Sequence, residues 1–178
     1  MKYATTLLVI APLLLANVLA MSESDIVDMK ETFKKADDYA YSPGFFNLWS
    51  TKIPKGKALR VIPENVGDYQ AGQYGEKRLW LIYAEGCKFS AKFLKEAWFP
   101  KLDKYDGAYA YGQVKCQLKG KGPNNDICEE NSRSGYPTVL IRVKDGWDEV
   151  TPQDNETFQQ VLDNYLNSKE VLTGTPKD

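Results

Sequence analysis

The sequence predicts an α/β fold in which a mixed central sheet is flanked by helices and preceded by an N-terminal helical extension. Three observations carry this. Strand-like and helix-like segments alternate through the first half, which argues for a partly parallel sheet. Residues 78–84, "RLWLIYA", form a continuous apolar run suited to a strand buried on both faces. Near the end, "TVLIRV", "KDG" and "WDEVT" read as two strands joined by a hairpin turn, which adds antiparallel pairing.

The elements follow in order. Lys2, an apolar run from Leu7 to Leu15 and the closing Val18-Leu19-Ala20 have the layout of a secretory signal peptide cleaved after Ala20. That apolar core is short for a membrane span, so no membrane partner is expected after cleavage. Residues 22–40 carry Ser and Asp near their start and apolar Ile26, Met29 and Phe33 at helical spacing, which predicts an amphipathic helix. "YSPGFFNLWSTKIPKGK" then reads as an irregular link whose aromatics, among them Tyr41, Phe45, Phe46 and Trp49, pack on the domain. "ALRVI" is a short strand stopped by Pro63, and a short helix and loop lead to the 78–84 strand.

A helix should open at Cys87, with Phe89, Phe93, Leu94 and Ala97 on its apolar face, and Pro100 should kink or break it. "AYAYGQVKC" is a second strand, "QLKGKGPNND" a loop, and "ICEENS" a short helix before the hairpin. A closing helix follows, with Phe158, Val161, Leu162, Tyr165 and Leu166 on one face.

Composition narrows the chemistry. The 178 residues are 43% hydrophobic, enough to fill one core with additions. The 23 basic and 24 acidic residues nearly cancel and form no basic patch, so nucleic acid is not an expected partner. There is no histidine. That excludes Ser-His-Asp and Cys-His catalysis and argues against a zinc site; no metal and no cofactor is expected. Three cysteines in a chain bound for an oxidising compartment allow one disulfide and leave one thiol over. Asn155-Glu156-Thr157 is a glycosylation sequon. The chain closes on "LTGTPKD", without a KDEL-type retrieval signal, so the endoplasmic reticulum lumen and secretion both stay open.

Cys87 follows a buried strand and opens a helix, "VKC" closes the next strand at Cys116, and "SGYPTVL" carries Tyr136-Pro137 before a third strand. This pattern resembles the thioredoxin fold, most closely the a-type domains of protein disulfide isomerases. The matching pieces are Tyr83-Ala84-Glu85-Gly86-Cys87, Val114-Lys115-Cys116, Cys128 and Gly135-Tyr136-Pro137-Thr138. The division of the chain is then a signal peptide (1–20), an N-terminal helical extension and linker (21–55), a thioredoxin-like domain (56–170) and a C-terminal tail (171–178).

The resemblance implies a cis bond at Tyr136–Pro137 facing Cys87, with the backbone there and at Gly86 pairing with an extended substrate peptide. It also implies a structural disulfide between Cys116 and Cys128, worth roughly 3 kcal/mol in loop-closure entropy. At a helix N-terminus, unpaired N–H groups and the helix dipole favour the thiolate, the reactive form of Cys87. Lys88 adds to that effect and Glu85 opposes it.

Three departures are mutually consistent. Ser90 stands where the family has its resolving cysteine, Gly86 where it has a tryptophan, and Leu81 where it has a buried acid that serves the second thiol. A serine cannot attack a mixed disulfide, and a buried acid without a thiol to deprotonate would only suffer desolvation. Cys-Lys-Phe-Ser is similar to the Cys-Arg-Phe-Ser of a retention chaperone in the disulfide isomerase family, which implies Cys87 as a trapping thiol.

Two functional readings follow. In the first, Cys87 captures or isomerises client cysteines through mixed disulfides, with glutathione as a release thiol; net dithiol oxidation or reduction by this site alone is excluded. In the second, the chain is a non-catalytic module that binds extended peptides in the groove beside Tyr136-Pro137. A monothiol glutaredoxin, whose Cys-Gly-Phe-Ser holds an iron–sulfur cluster with glutathione, fits less well because Lys88 replaces that glycine.

Overall fold

The computed structural model describes residues 21–43, 52–75, 77–104, 109–119, 121–132, 134–143, 146–150, 157, 160 and 163–164. The expected signal segment, linker residues Phe45, Phe46 and Trp49, the Asn155 sequon, most of the closing helix and the tail lie outside these residues.

Helix α1 spans Glu23–Tyr39. Its start is fixed by a capping box: the Asp25 N–H donates to Ser22 Oγ at 3.1 Å, and the Ser22 N–H donates to the Asp25 carboxylate at 3.2 Å. The helix buries Thr32, Phe33 and Ala36, while Ile26 faces outward. Strand β1 (Ala40–Tyr41) follows directly. Then come β2 (Ala58–Arg60), α2 (Val66–Ala71) and β3 (Arg78–Glu85). After β3 the chain forms α3 (Lys88–Phe93), a π-helical turn (Leu94–Trp98) and α4 (Phe99–Asp103). The last elements are β4 (Ala110–Gln117), α5 (Asn125–Asn131), β5 (Thr138–Val143) and β6 (Gly146–Glu149).

The strands form one six-stranded mixed sheet in the order β1-β2-β4-β3-β5-β6. The first four run parallel, and β5 and β6 are antiparallel to their neighbours. Central β3 pairs along its whole length with β4, from Arg78↔Ala110 to Glu85↔Gln117. It pairs with β5 from Leu79↔Ile141 to Ile82↔Thr138. Its unbroken apolar run therefore serves both faces. Leu79, Leu81 and Tyr83 pack under α1 and the α3–α4 segment. Trp80, Ile82 and Ala84 pack under α2 and α5. Gly112 lets the Tyr69 ring approach β4, since a Cβ there would lie 2.6 Å from Tyr69 Cζ. The Tyr69 hydroxyl then donates to the carbonyls of Leu79 and Ala110 and ties β3 to β4.

Three findings correct or narrow the sequence reading. The stretch after α1 is not wholly a link: Ala40 and Tyr41 pair in parallel with Ala58 and Leu59 and make an edge strand. Of the two outcomes expected at Pro100, a break does not occur; the helix is disturbed but runs on through it. The proline lacks an N–H and its ring would crowd the carbonyl four residues back, and the preceding turn widens so that the Phe99 N–H bonds to the Leu94 carbonyl. Phe89 is not on the buried face; it is 71% exposed, while Ser90, Ala91, Phe93 and Leu94 face the sheet.

Candidate functional site

β3 delivers the chain to the site. Glu85 ends the strand, Gly86 turns, and Cys87 caps α3. Gly86 has φ +84°, a left-handed torsion that L side chains rarely adopt. A Cβ there would meet nothing within 4 Å, so torsion rather than crowding selects glycine. Cys87 itself is extended (φ −85°, ψ 118°), and its carbonyl accepts the first helical bond from the Ala91 N–H at 3.0 Å.

Cys87 is the free thiol of the three cysteines and is partly exposed. Its Sγ lies 3.7 Å from the carbonyl oxygen of Tyr136, to which it donates. The Tyr136–Pro137 peptide bond is cis. Gly86, Cys87, Tyr136 and Pro137 are thus brought to one end of the sheet, an arrangement that the resemblance implied.

Ser90 is fully buried. Its Oγ accepts the Ala84 N–H at 3.2 Å. Ala84 lies two residues beyond Ile82–Thr138, the last β3–β5 pair, so the serine satisfies a backbone donor after that pairing has stopped. Leu81 is fully buried and sits between Gln113 of β4 and Val139 of β5. Gln113 is buried but paired: it donates to the Ala36 carbonyl at 2.8 Å and accepts from Trp98 Nε1 at 3.1 Å.

Cys116 and Cys128 form a disulfide that joins the end of β4 to α5, and both are buried. Their Cα atoms are 6.1 Å apart.

Sequence reasoning missed the charge network beside this site. Asp37 at the end of α1 accepts from Arg60 at 3.3 Å and from Lys115 at 2.9 Å. Lys115 also reaches Glu85 at 3.1 Å, two residues before Cys87. Burial pulls the Lys115 ammonium down, but its bonds to Asp37 and Glu85 outweigh this and hold it above its ordinary value. Burial, and next the Asp37 charge, push the Tyr83 phenol up. No motif signals this network, because its members come from four separate elements. Phe89 was legible as apolar, but its direction depends on where the helix meets the sheet.

None of the family models and none of the curated proteins matches the chain. Among solved structures, the chain is similar to the first thioredoxin domain of mouse protein disulfide-isomerase A4, determined in solution. Identity is 18% and the TM-score 0.44, over 70% of this chain and 84% of that one. The mixed sheet, the helix opened by Cys87 at the end of β3 and the cis-proline facing that cysteine together make this a thioredoxin-like fold.

Proposed function

We propose that this chain works in the secretory pathway as a monothiol relative of disulfide isomerase domains and acts on client protein cysteines through Cys87. The observation that carries the reading is the pairing of a partly exposed Cys87 Sγ with the Tyr136 carbonyl, beside a Ser90 that is buried and engaged. In isomerisation the Cys87 thiolate attacks a client disulfide, forming a mixed disulfide and freeing a client thiolate. A second client thiolate then attacks the mixed disulfide, forms a new client disulfide and returns the Cys87 thiolate. No net redox change occurs. Where no client thiol is in reach, the mixed disulfide persists as a trap. A glutathione thiolate then attacks the client sulfur, leaving a glutathionylated client and a free Cys87.

A non-covalent peptide-binding reading draws support from Phe89, whose exposed ring stands two residues from Cys87. One experiment separates the two. Wild type, Cys87→Ser and Ser90→Cys are expressed with the secretory signal, and cells are quenched with alkylating agent. The monothiol reading expects client conjugates in wild type, none in Cys87→Ser, and fewer in Ser90→Cys, whose second thiol resolves them. Absence of conjugates from wild type, with peptide binding unchanged in Cys87→Ser, overturns it in favour of the binding module.

A further inference from the structure

We propose that Ser132 is a positioning residue for the thiol site: it ties the Cys116–Cys128 disulfide to Cys87 by holding the link that presents the Tyr136 carbonyl. The proposal rests on reading Cys87 as the reacting thiol. Residues 132–137 join α5 to β5. This link carries the cis bond and the carbonyl oxygen to which Cys87 Sγ donates at 3.7 Å. Where that oxygen sits depends on what fixes the two ends of the link.

One end is fixed at Cys128. Its sulfur is bonded to Cys116 of β4. Its carbonyl accepts twice from one residue, from the Ser132 N–H at 3.0 Å and from the Ser132 hydroxyl at 2.5 Å. A carbonyl oxygen has two lone pairs, so both bonds form together. The Ser132 carbonyl in turn accepts the Gly135 N–H at 3.1 Å, next to Tyr136. The other end is fixed by β5. Thr138 pairs with Ile82, and its hydroxyl donates to the Gly135 carbonyl at 2.6 Å. Ser134 adds a bond to the Glu149 carboxylate of β6. A serine that bonds back to the carbonyl four residues earlier is ordinary at a helix end. Here that carbonyl belongs to a disulfide cysteine, and the glycine held by Ser132 immediately precedes the residue that faces the thiol. Ser132 thus passes the covalent anchor of Cys128 on towards Tyr136.

The contact it maintains is a resting one. The attacking form of a cysteine is the thiolate, which has no proton to donate, so the bond from Sγ to the Tyr136 oxygen opens before Cys87 reacts. A fixed oxygen restrains the sulfur, and a looser one releases it more often. Cys87 is the free cysteine of the three, so alkylation of the full chain reports on it.

The test alkylates wild type and variants of the full chain with iodoacetamide under native conditions and follows the rate by mass. Ser132→Ala is expected to react about threefold faster, the scale of one lost hydrogen bond. Ser132→Thr, which keeps the hydroxyl, is expected to react at the wild-type rate. Asn131→Ala is the matched control. It removes a bond of the same kind at the same helix end, from Asn131 Nδ2 to the Ile127 carbonyl at 2.9 Å, but outside the link, and it is expected to leave the rate unchanged. The Cys116→Ala, Cys128→Ala double variant, if it folds, is expected to react at least as fast as Ser132→Ala; if it does not fold, the two Ser132 variants still decide. A wild-type rate in Ser132→Ala, an equal rise in Asn131→Ala, or no rescue by threonine would overturn the proposal. The assay contains no client, so its outcome is separate from whether Cys87 forms client conjugates.

Discussion

Cys87 and the Cys116–Cys128 pair stand at the same end of one sheet, yet they are opposite kinds of sulfur. Cys116 lies beside Ala84 in the β3–β4 register, only three residues before Cys87. The pair is buried and closes a loop between a strand and a helix. Cys87 is partly exposed, caps a helix, and touches a backbone carbonyl rather than another sulfur. Burial and a bonded partner turn one pair into a structural clamp, whereas Cys87 keeps a free, partly exposed thiol at the opening of a helix.

The largest expected effect breaks the structural side of this contrast. Replacing both Cys116 and Cys128 by Ala should lower stability by about 3 kcal/mol, because the cross-link spans a sequence separation of 12. Thermal melting should fall by roughly 6–12 °C. Cys87→Ser should shift the melt by less than about 2 °C. Comparable losses in the two variants would mean that Cys87 is structural as well.

A smaller effect sharpens the chemical side. Ser90→Ala should destabilise by about 1–3 kcal/mol, because the buried Ala84 N–H loses its acceptor. Denaturant midpoints measure it, and faster hydrogen exchange at the Ala84 amide localises it. A neutral Ser90→Ala would show that the bond from the Ala84 N–H contributes nothing to the fold.

The smallest effect concerns the charges leading into Cys87. Lys115 is held above its ordinary value of 10.5. Its contribution is therefore fully present below 10.5 and is lost as pH rises through the higher folded value. Lys115→Met should lower neutral-pH stability by no more than about 1 kcal/mol, since the partners are partly solvated. It should also flatten the alkaline decline seen in wild type. An unchanged alkaline limb would remove Lys115 from the account.

Much of the fold was legible in the sequence, for local reasons. The run Arg78–Ala84 announced a two-faced strand, whereas the cis bond at Tyr136–Pro137, which the structure contains, was implied only by the resemblance. The resemblance also supplied the Cys116–Cys128 pairing. What escaped depends on distance along the chain. β1 has two residues, and only the distant Ala58 and Leu59 make it a strand. The widened turn before Pro100 depends on how the helix keeps its face on the sheet. The Ser90 hydroxyl is explained by a backbone amide that no residue pattern encodes. The Asp37–Lys115–Glu85 chain joins α1, β4 and β3, which only folding brings together.

The bare Gly86 has a consequence for the chemist rather than for the cell. A Gly–Cys junction is the least hindered place to join two synthetic fragments, one ending in a glycine thioester and the other beginning with cysteine. Here that junction falls between the central strand and the helix that displays the thiol. The torsion of +84° at Gly86 is one that a mirror-image amino acid favours, whereas an L-residue would lose roughly 1–2 kcal/mol there. Total assembly from fragments can therefore install D-alanine beside Cys87 while keeping every other residue native.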